Sequence, residues 1–189
     1  MRVKSVLKQL KSYLDQPRYL HIIGVGTTAR DLAKLYQVDE NQAELAGWLH
    51  DCARCYPNSK LESIWHQHPG YLDQEELVIP ALWHAPVSAL IAQSEFMVSD
   101  PVVIAAIRYH PTGRPGMGSL EKIVFVADYL EPNRKFKGVD ALRKLANQGL
   151  NQITLAVMDS KLTYHRTQGF QLHSRGIAAY EYMKKQING

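Results

Sequence analysis

The segment AELAGWLHDCA, residues 43–53, limits the fold of this chain more than any other, because it is apolar on two sides of a helix at once. At helical spacing Leu45, Trp48, Leu49 and Cys52 form one stripe, and Ala43, Ala46, Gly47 and His50 form a second one of small residues. A helix with neighbours on both sides belongs at the centre of a domain rather than on its surface. Asp51 is thereby drawn toward the core, where a carboxylate is costly unless it is paired, hydrogen-bonded or bound to a metal. The plain structural answer is a pair with Arg54, at i+3 on the same helix.

The same period recurs along most of the chain, and the expected fold is all-α. Ile22, Val25, Ala29, Leu32, Ala33 and Tyr36 keep one helical face, with Pro17 as a first-turn residue. Asp39 is a candidate cap for the central helix, with Gln42 in capping-box position. Asp100 and Pro101 open a helix that ends near His110, and Leu120, Ile123, Val124, Ala127 and Leu130 trace the next. Turn chemistry gathers at YPNSK (56–60), HPTGRPGMGS (110–119) and EPNRKFKG (131–138), and the second of these is expected to be a mobile loop over a site. One domain over 1–189 is expected, with the site-bearing helices at about 15–135 and further helices at about 138–187.

A chain of 189 residues has enough interior for a real core. Apolar runs such as PVVIAAI (101–107) are far too short for the roughly 20 residues of a membrane span. The basic start MRVKSVLKQLKSYL reads as an ordinary first helix, since Val3, Val6, Leu7, Leu10, Tyr13 and Leu14 follow one stripe, and not as a targeting peptide. The net charge of +4 is scattered, which suits an anionic small molecule at least as well as a nucleic acid polymer. Two cysteines, too close in sequence to staple a fold, suit a reducing cytoplasm.

With eight His and nine Asp in the chain, chance alone supplies about 0.4 His-Asp pairs, so His50-Asp51 means little by itself. Its company carries more weight. His21, His50, His84 and His110 each fall on a separate expected helix or helix end, each among apolar neighbours, and Asp128 sits in the equally apolar FVADYL. One such His is ordinary core; four would need many hydrogen-bond partners, a demand that metal ions meet jointly from facing helices. The rival motif is Cys52-x-x-Cys55. It lacks the leading strand and helix-start position of a redox pair, and with His66 and His68 it misses zinc-finger spacing. Cys52 therefore reads as a small core residue and Cys55 as incidental.

The order H…HD…H…H…D resembles that of the HD-domain metal-dependent phosphohydrolases. The likeness is closest to the bacterial YqeK-type symmetrical diadenosine tetraphosphate hydrolases. It rests on RYLHIIGV (18–25), AELAGWLHDCAR (43–54), WHAPVSA (83–89), IRYHPTGRPGMGSLEKIVFVADYLEPNR (107–134) and FKGVDALRKLA, and ADYLEPNR after the H-x-T-G loop is its most specific part. The resemblance implies an HD-domain helical bundle with a dinuclear metal site between helices. His21, His50, Asp51 and Asp128 would hold one divalent ion, and His84 and His110 a second, with Asp51 bridging. Imidazole and carboxylate donors suit iron, manganese or zinc, and the family points to iron.

Asp51, His84 and His110 are the catalytic candidates, serving a metal-bound hydroxide that attacks phosphorus, and the product would be two ADP. Arg18, Arg54, Thr112, Gly113 and Arg134 would meet substrate phosphates. The chain departs from the family at Arg54, where Lys is usual, at Ala85 for Gly and at Pro111 for Thr, which leaves phosphate contacts and substrate choice less constrained than the metal ligands. A homodimer remains open, and the expected partner is a dinucleoside polyphosphate, with no membrane or nucleic acid polymer. Alternatives are another nucleotide, such as a guanosine polyphosphate or deoxynucleotide, or a non-catalytic helical module that binds metal or nucleotide.

Overall fold

A computed structural model describes residues 3–188. Among them are α1 (Val3–Lys11), α2 (Gln16–Leu35), α3 (Glu40–Leu49), α4 (Asn58–Trp65), α5 (Gln74–Leu77), α6 (His84–Ser94), α7 (Pro101–Tyr109), α8 (Ser119–Leu130), α9 (Val139–Lys144), α10 (Leu150–Thr167) and α11 (Ser174–Asn188). Two 3₁₀ turns precede α6 and α10, and no strand occurs among the described residues. No helix there is long and apolar enough to cross a membrane. The all-α expectation holds.

Local signals set most helix starts. Asp15 caps α2, accepting from the Arg18 amide at 2.7 Å with Pro17 in the first turn, and Asp100 caps α7 through the Val102 amide at 2.8 Å. At α3 the capping box is only half formed. Asp39 accepts from the Gln42 amide at 2.9 Å, but the Gln42 side chain donates to Asp100 at 2.7 Å, tying the starts of α3 and α7 together. Asn58–Lys60, expected in a turn, already belong to α4, with Pro57 at its cap position. The first stripe is buried at Val6, Leu10 and Leu14, although α1 stops at Lys11 and Leu14 lies in the turn beyond; the Val3 side chain lies outside the described ones.

Helix α3 is central, as its two apolar sides require. Ala43, Ala46, Gly47, Trp48 and Leu49 are all buried, with α2 on one side and α6, α7 and α8 around the rest. The α2–α3 crossing depends on two glycines: a Cβ on Gly47 would lie 2.7 Å from Gly26 Cα, and one on Gly26 would run into the Trp48 indole. Helix α10 lies on α8, and α11 lies on α10.

The loop at 110–119 is not free. Gly113, at φ +66, closes the turn after α7 by donating to the Tyr109 carbonyl at 2.7 Å. Arg114 grips Glu121 at 2.6 and 3.0 Å, and Met117 is buried. These three anchors replace the expected mobility. A second cluster of ligand-type side chains, Asp73, Glu76 and His173, is occupied by arginines: Arg108 pairs with Glu76 at 2.5 Å, and Arg175 bridges Glu76 and Asp73. It therefore clamps the segment before α11 onto α5 and α7.

Candidate metal centre

The His-Asp pair sits just beyond α3, not inside it. The helix ends at Leu49, and tight turns follow, with the Cys52 amide on Leu49 O and the Arg54 amide on Asp51 O. The Ala53 amide leaves the helical pattern to donate to Ser88 Oγ in α6 at 3.0 Å, which holds the chain in its new direction. Arg54 consequently points away from Asp51. It is exposed, donates to the Ala81 carbonyl at 3.0 Å and lies 2.8 Å from His84 Nδ1, so the local Asp51–Arg54 pair does not form.

Four helix ends or faces bring the imidazoles together: His21 from α2, His50 after α3, His84 at the start of α6 and His110 at the end of α7. Each turns its Nδ1 outward onto an acceptor. His50 meets Gly47 O at 2.7 Å, His84 meets Ala81 O at 2.8 Å, His110 meets Ile107 O at 2.9 Å and His21 meets Glu131 Oε1 at 3.2 Å. A proton on Nδ1 satisfies each acceptor and leaves the Nε2 lone pairs facing inward, the arrangement of metal-ligating histidines, although at His84 the Arg54 guanidinium competes for the same nitrogen at 2.8 Å.

Those four Nε2 atoms surround one carboxylate. Asp51 Oδ2 lies 3.7 Å from His21 and 3.5 Å from His50, while Oδ1 lies 3.3 Å from His84 and 3.6 Å from His110. Asp128 Oδ1 closes the first group, 3.2 Å from His21 and 3.8 Å from His50. The Nε2 atoms of His84 and His110 are 3.4 Å apart. His21 Nε2, His50 Nε2 and Asp51 Oδ1 are buried without any hydrogen-bond partner. Unsatisfied buried polar atoms are rare, and a cation answers all three at once, so these residues fit a divalent metal.

The electrostatics favour ligation at three of the four imidazoles, and at His21 a cation would have to displace a proton. Burial lowers the pKa of His50 and His110 and pushes His84 down to about 4, which keeps them neutral and able to ligate. Burial works against charge on Asp51 too, but His50, His84, His110 and Arg18 outweigh it and hold the carboxyl below its usual range. The Asp128 carboxyl is held well below its range in the same way, chiefly by His21. For His21, burial is overcome by the Asp128 and Glu131 carboxylates, which push its pKa up to about 8.

The proposed phosphate residues divide by position. Arg18 Nη1 donates to Asp51 Oδ2 at 2.5 Å, and Arg134 Nη2 donates to Asp128 Oδ1 at 2.9 Å, so both stand at the mouth of the centre. Thr112 lines a small neighbouring cavity, Gly113 is buried in its turn, and Arg54 stays at Ala81 behind His84. Cys52 is buried with its thiol pushed up to about 12 by burial, Cys55 is exposed, and both are free thiols.

Glu131 escaped the sequence reading. It is 2% exposed, holds His21 Nδ1, and accepts from the Asn133 amide at 2.7 Å. A Cβ on Gly24 would come within 2.6 Å of its carboxylate, so that glycine makes its room. The available signal was its place one helical turn after Asp128. Glu131→Ala is expected to weaken metal affinity about 10- to 100-fold, the usual effect of losing the partner of a ligating His, and metal titration followed by calorimetry measures it.

The chain matches the model of the HD domain family over residues 18–133. It is 41% identical to the symmetrical bis(5'-nucleosyl)-tetraphosphatase of Bacillus subtilis, covering 87% of this chain and 88% of the relative. It is 37% identical to the protein of the same name in Halalkalibacterium halodurans, covering 93% and 94%. A crystal structure from Clostridium acetobutylicum, described as a predicted HD superfamily hydrolase involved in NAD metabolism, superposes with a TM-score of 0.93 at 36% identity over 98% of both chains. The family match spans from Arg18 at the mouth of the centre to Asn133 behind Glu131 and so takes in every inward-facing imidazole: this chain belongs to the HD domain family.

Proposed function

We propose that the protein hydrolyses diadenosine tetraphosphate symmetrically to two ADP, with two divalent ions held by His21, His50, Asp51 and Asp128 on one side and by His84, His110 and Asp51 on the other. The observation that carries this reading is the division of Asp51, whose Oδ2 faces one pair of imidazoles and whose Oδ1 faces the other. The curated relatives named as symmetrical tetraphosphatases supply the substrate. Four imidazoles and two carboxylates suit iron, manganese or zinc, and iron is our choice among them.

Bound at this centre, divalent ions lower the pKa of water and neutralise charge on phosphoryl oxygens. The protein's own contribution is position. Glu131 and the carbonyls of Gly47, Ala81 and Ile107 fix the four rings before substrate arrives, so no reorganisation is needed during the reaction. Arg18 and Arg134 hold the carboxylates of Asp51 and Asp128, and their heads are partly exposed, 29% and 39%. If cations held those carboxylates, the forked donors of both guanidiniums would be free to meet phosphate oxygens.

A water oxygen is added to one inner phosphorus, the bond from that phosphorus to the central bridging oxygen breaks, and the second ADP leaves with the bridging oxygen as a phosphate. With both ADP products fully ionised, two protons are released. A phosphate leaving group makes a strong general acid unnecessary. The same reading gives the protein a nucleotide partner in a reducing cytoplasm.

Metal-replete protein given diadenosine tetraphosphate in ¹⁸O-water should yield ADP alone, with one ¹⁸O atom in half of the ADP molecules. ATP with AMP would overturn the symmetrical assignment. A higher kcat/KM on a guanosine polyphosphate or a deoxynucleotide would move the activity to that substrate, and binding without product from any nucleotide would leave a non-catalytic module.

A further inference from the structure

Lys161, on α10, is a cation without a counter-charge among the described residues. Its ammonium lies over the Phe125 ring, 4.6 Å from the centroid, and its hydrogen bond among the described residues goes to the Pro111 carbonyl at 3.0 Å. No carboxylate of the described residues is within ion-pair distance, although an ammonium carries three donors. Burial disfavours its charge, and Asp128 and Asp51 are close enough to oppose that effect. A positive charge kept in such a place is costly until an anion arrives.

The space next to it has the chemistry of a nucleotide. A cleft of about 640 Å³ runs outward from Asp128 and Lys161, between α8, α10 and the turn at 131–138. That volume lies within the usual range for small-molecule sites. Lys161, Arg134 and Lys137 line it with positive charge, while Tyr129, Phe136 and Tyr164 line it with rings. Tyr129 and Phe136 pack together at 4.7 Å, whereas Tyr164 is 53% exposed and has His165 and Phe170 beside its ring at 6.0 and 6.1 Å. The cavity on the other side of Lys161, beside Thr112, is only about 50 Å³ and admits no base.

We propose that this cleft binds one nucleoside end of the substrate, with the base stacked on Tyr164, and that Lys161 binds the polyphosphate where it passes from the cleft to the metal centre. This rests on the reading of the protein as a dinucleoside polyphosphate hydrolase. Stacking on a ring tolerates any base, so the ring contact by itself carries no base identity.

The test is equilibrium binding of ADP and of inorganic pyrophosphate to metal-loaded protein. Lys161→Met keeps the apolar stem on Phe125 and removes the charge. It should weaken both ligands about tenfold or more, with metal content and melting temperature unchanged, while Lys161→Arg stays within about threefold of the parent. Tyr164→Ala should weaken ADP about tenfold and leave pyrophosphate unaffected. Parent-like binding by Lys161→Met, or a loss accompanied by falling metal content and melting temperature, overturns the role of Lys161. Equal loss of ADP and pyrophosphate in Tyr164→Ala overturns the stacking site. Because binding is read directly, a parent protein that binds ADP through Lys161 but fails to cleave diadenosine tetraphosphate would sink the proposed activity and leave the cleft standing.

Discussion

Asp51→Ala should purify as a folded protein that holds no divalent metal and has lost diadenosine tetraphosphate hydrolysis by about a thousandfold or more, since it removes a donor from both halves of the centre at once. Folding should survive because burial keeps the neighbouring His50, His84 and His110 neutral, His21 retains Asp128 and Glu131 as partners, and Arg18 is open enough to regain water. A ligand that binds only the native state raises its stability by mass action. Adding metal should therefore raise the melting temperature of the parent and leave that of Asp51→Ala unmoved, with elemental analysis as the direct check. Cys55→Ser, at an exposed thiol outside the centre, should retain both metal and activity. Full metal occupancy in Asp51→Ala, or loss of activity in the Cys55 variant, would reverse the assignment of this segment.

Gly47→Ala is expected to cost about 3 kcal/mol, the upper part of the usual range for overpacking, because the obstruction is backbone and not a movable side chain. The added methyl would lie 2.7 Å from Gly26 Cα and 2.9 Å from Gly26 N, so α2 and α3 must separate. The separation also pulls His21, on α2, away from His50 and Asp51, just beyond α3. Denaturant unfolding should show the stability loss, and metal titration of the variant under folding conditions should show weaker binding. Unchanged stability would mean that the crossing yields more easily than two facing backbones allow.

Much of this was readable from residue spacing. The two apolar sides of 43–53 placed α3 at the centre, and Asp15, Asp39 and Asp100 marked three helix starts, because side-chain period and capping act within a few residues. The inward set His21, His50, Asp51, His84, His110 and Asp128 stood out because imidazoles among apolar neighbours demand partners. What spacing did not contain was every feature decided across long separations. Helicity was expected to run through Asp51, but the Ser88 hydroxyl, 35 residues away, captures the Ala53 amide and turns the chain. Glu131 acts on a histidine 110 residues earlier, and Lys161 reaches the carbonyl of Pro111, 50 residues before it.

The sequence by itself determined an all-helical chain with a buried central helix and a set of imidazoles and carboxylates that need polar partners, since hydrophobic period and the cost of burying polar groups are written in local neighbours. The tertiary structure alone decided that one Asp51 oxygen serves each pair of imidazoles, that Arg18 rather than Arg54 holds that carboxylate, and that Lys161 lines a cleft with no counter-charge among the described residues. Those outcomes depend on which helix ends meet and at what angle, and such convergence is fixed by the packing of distant elements.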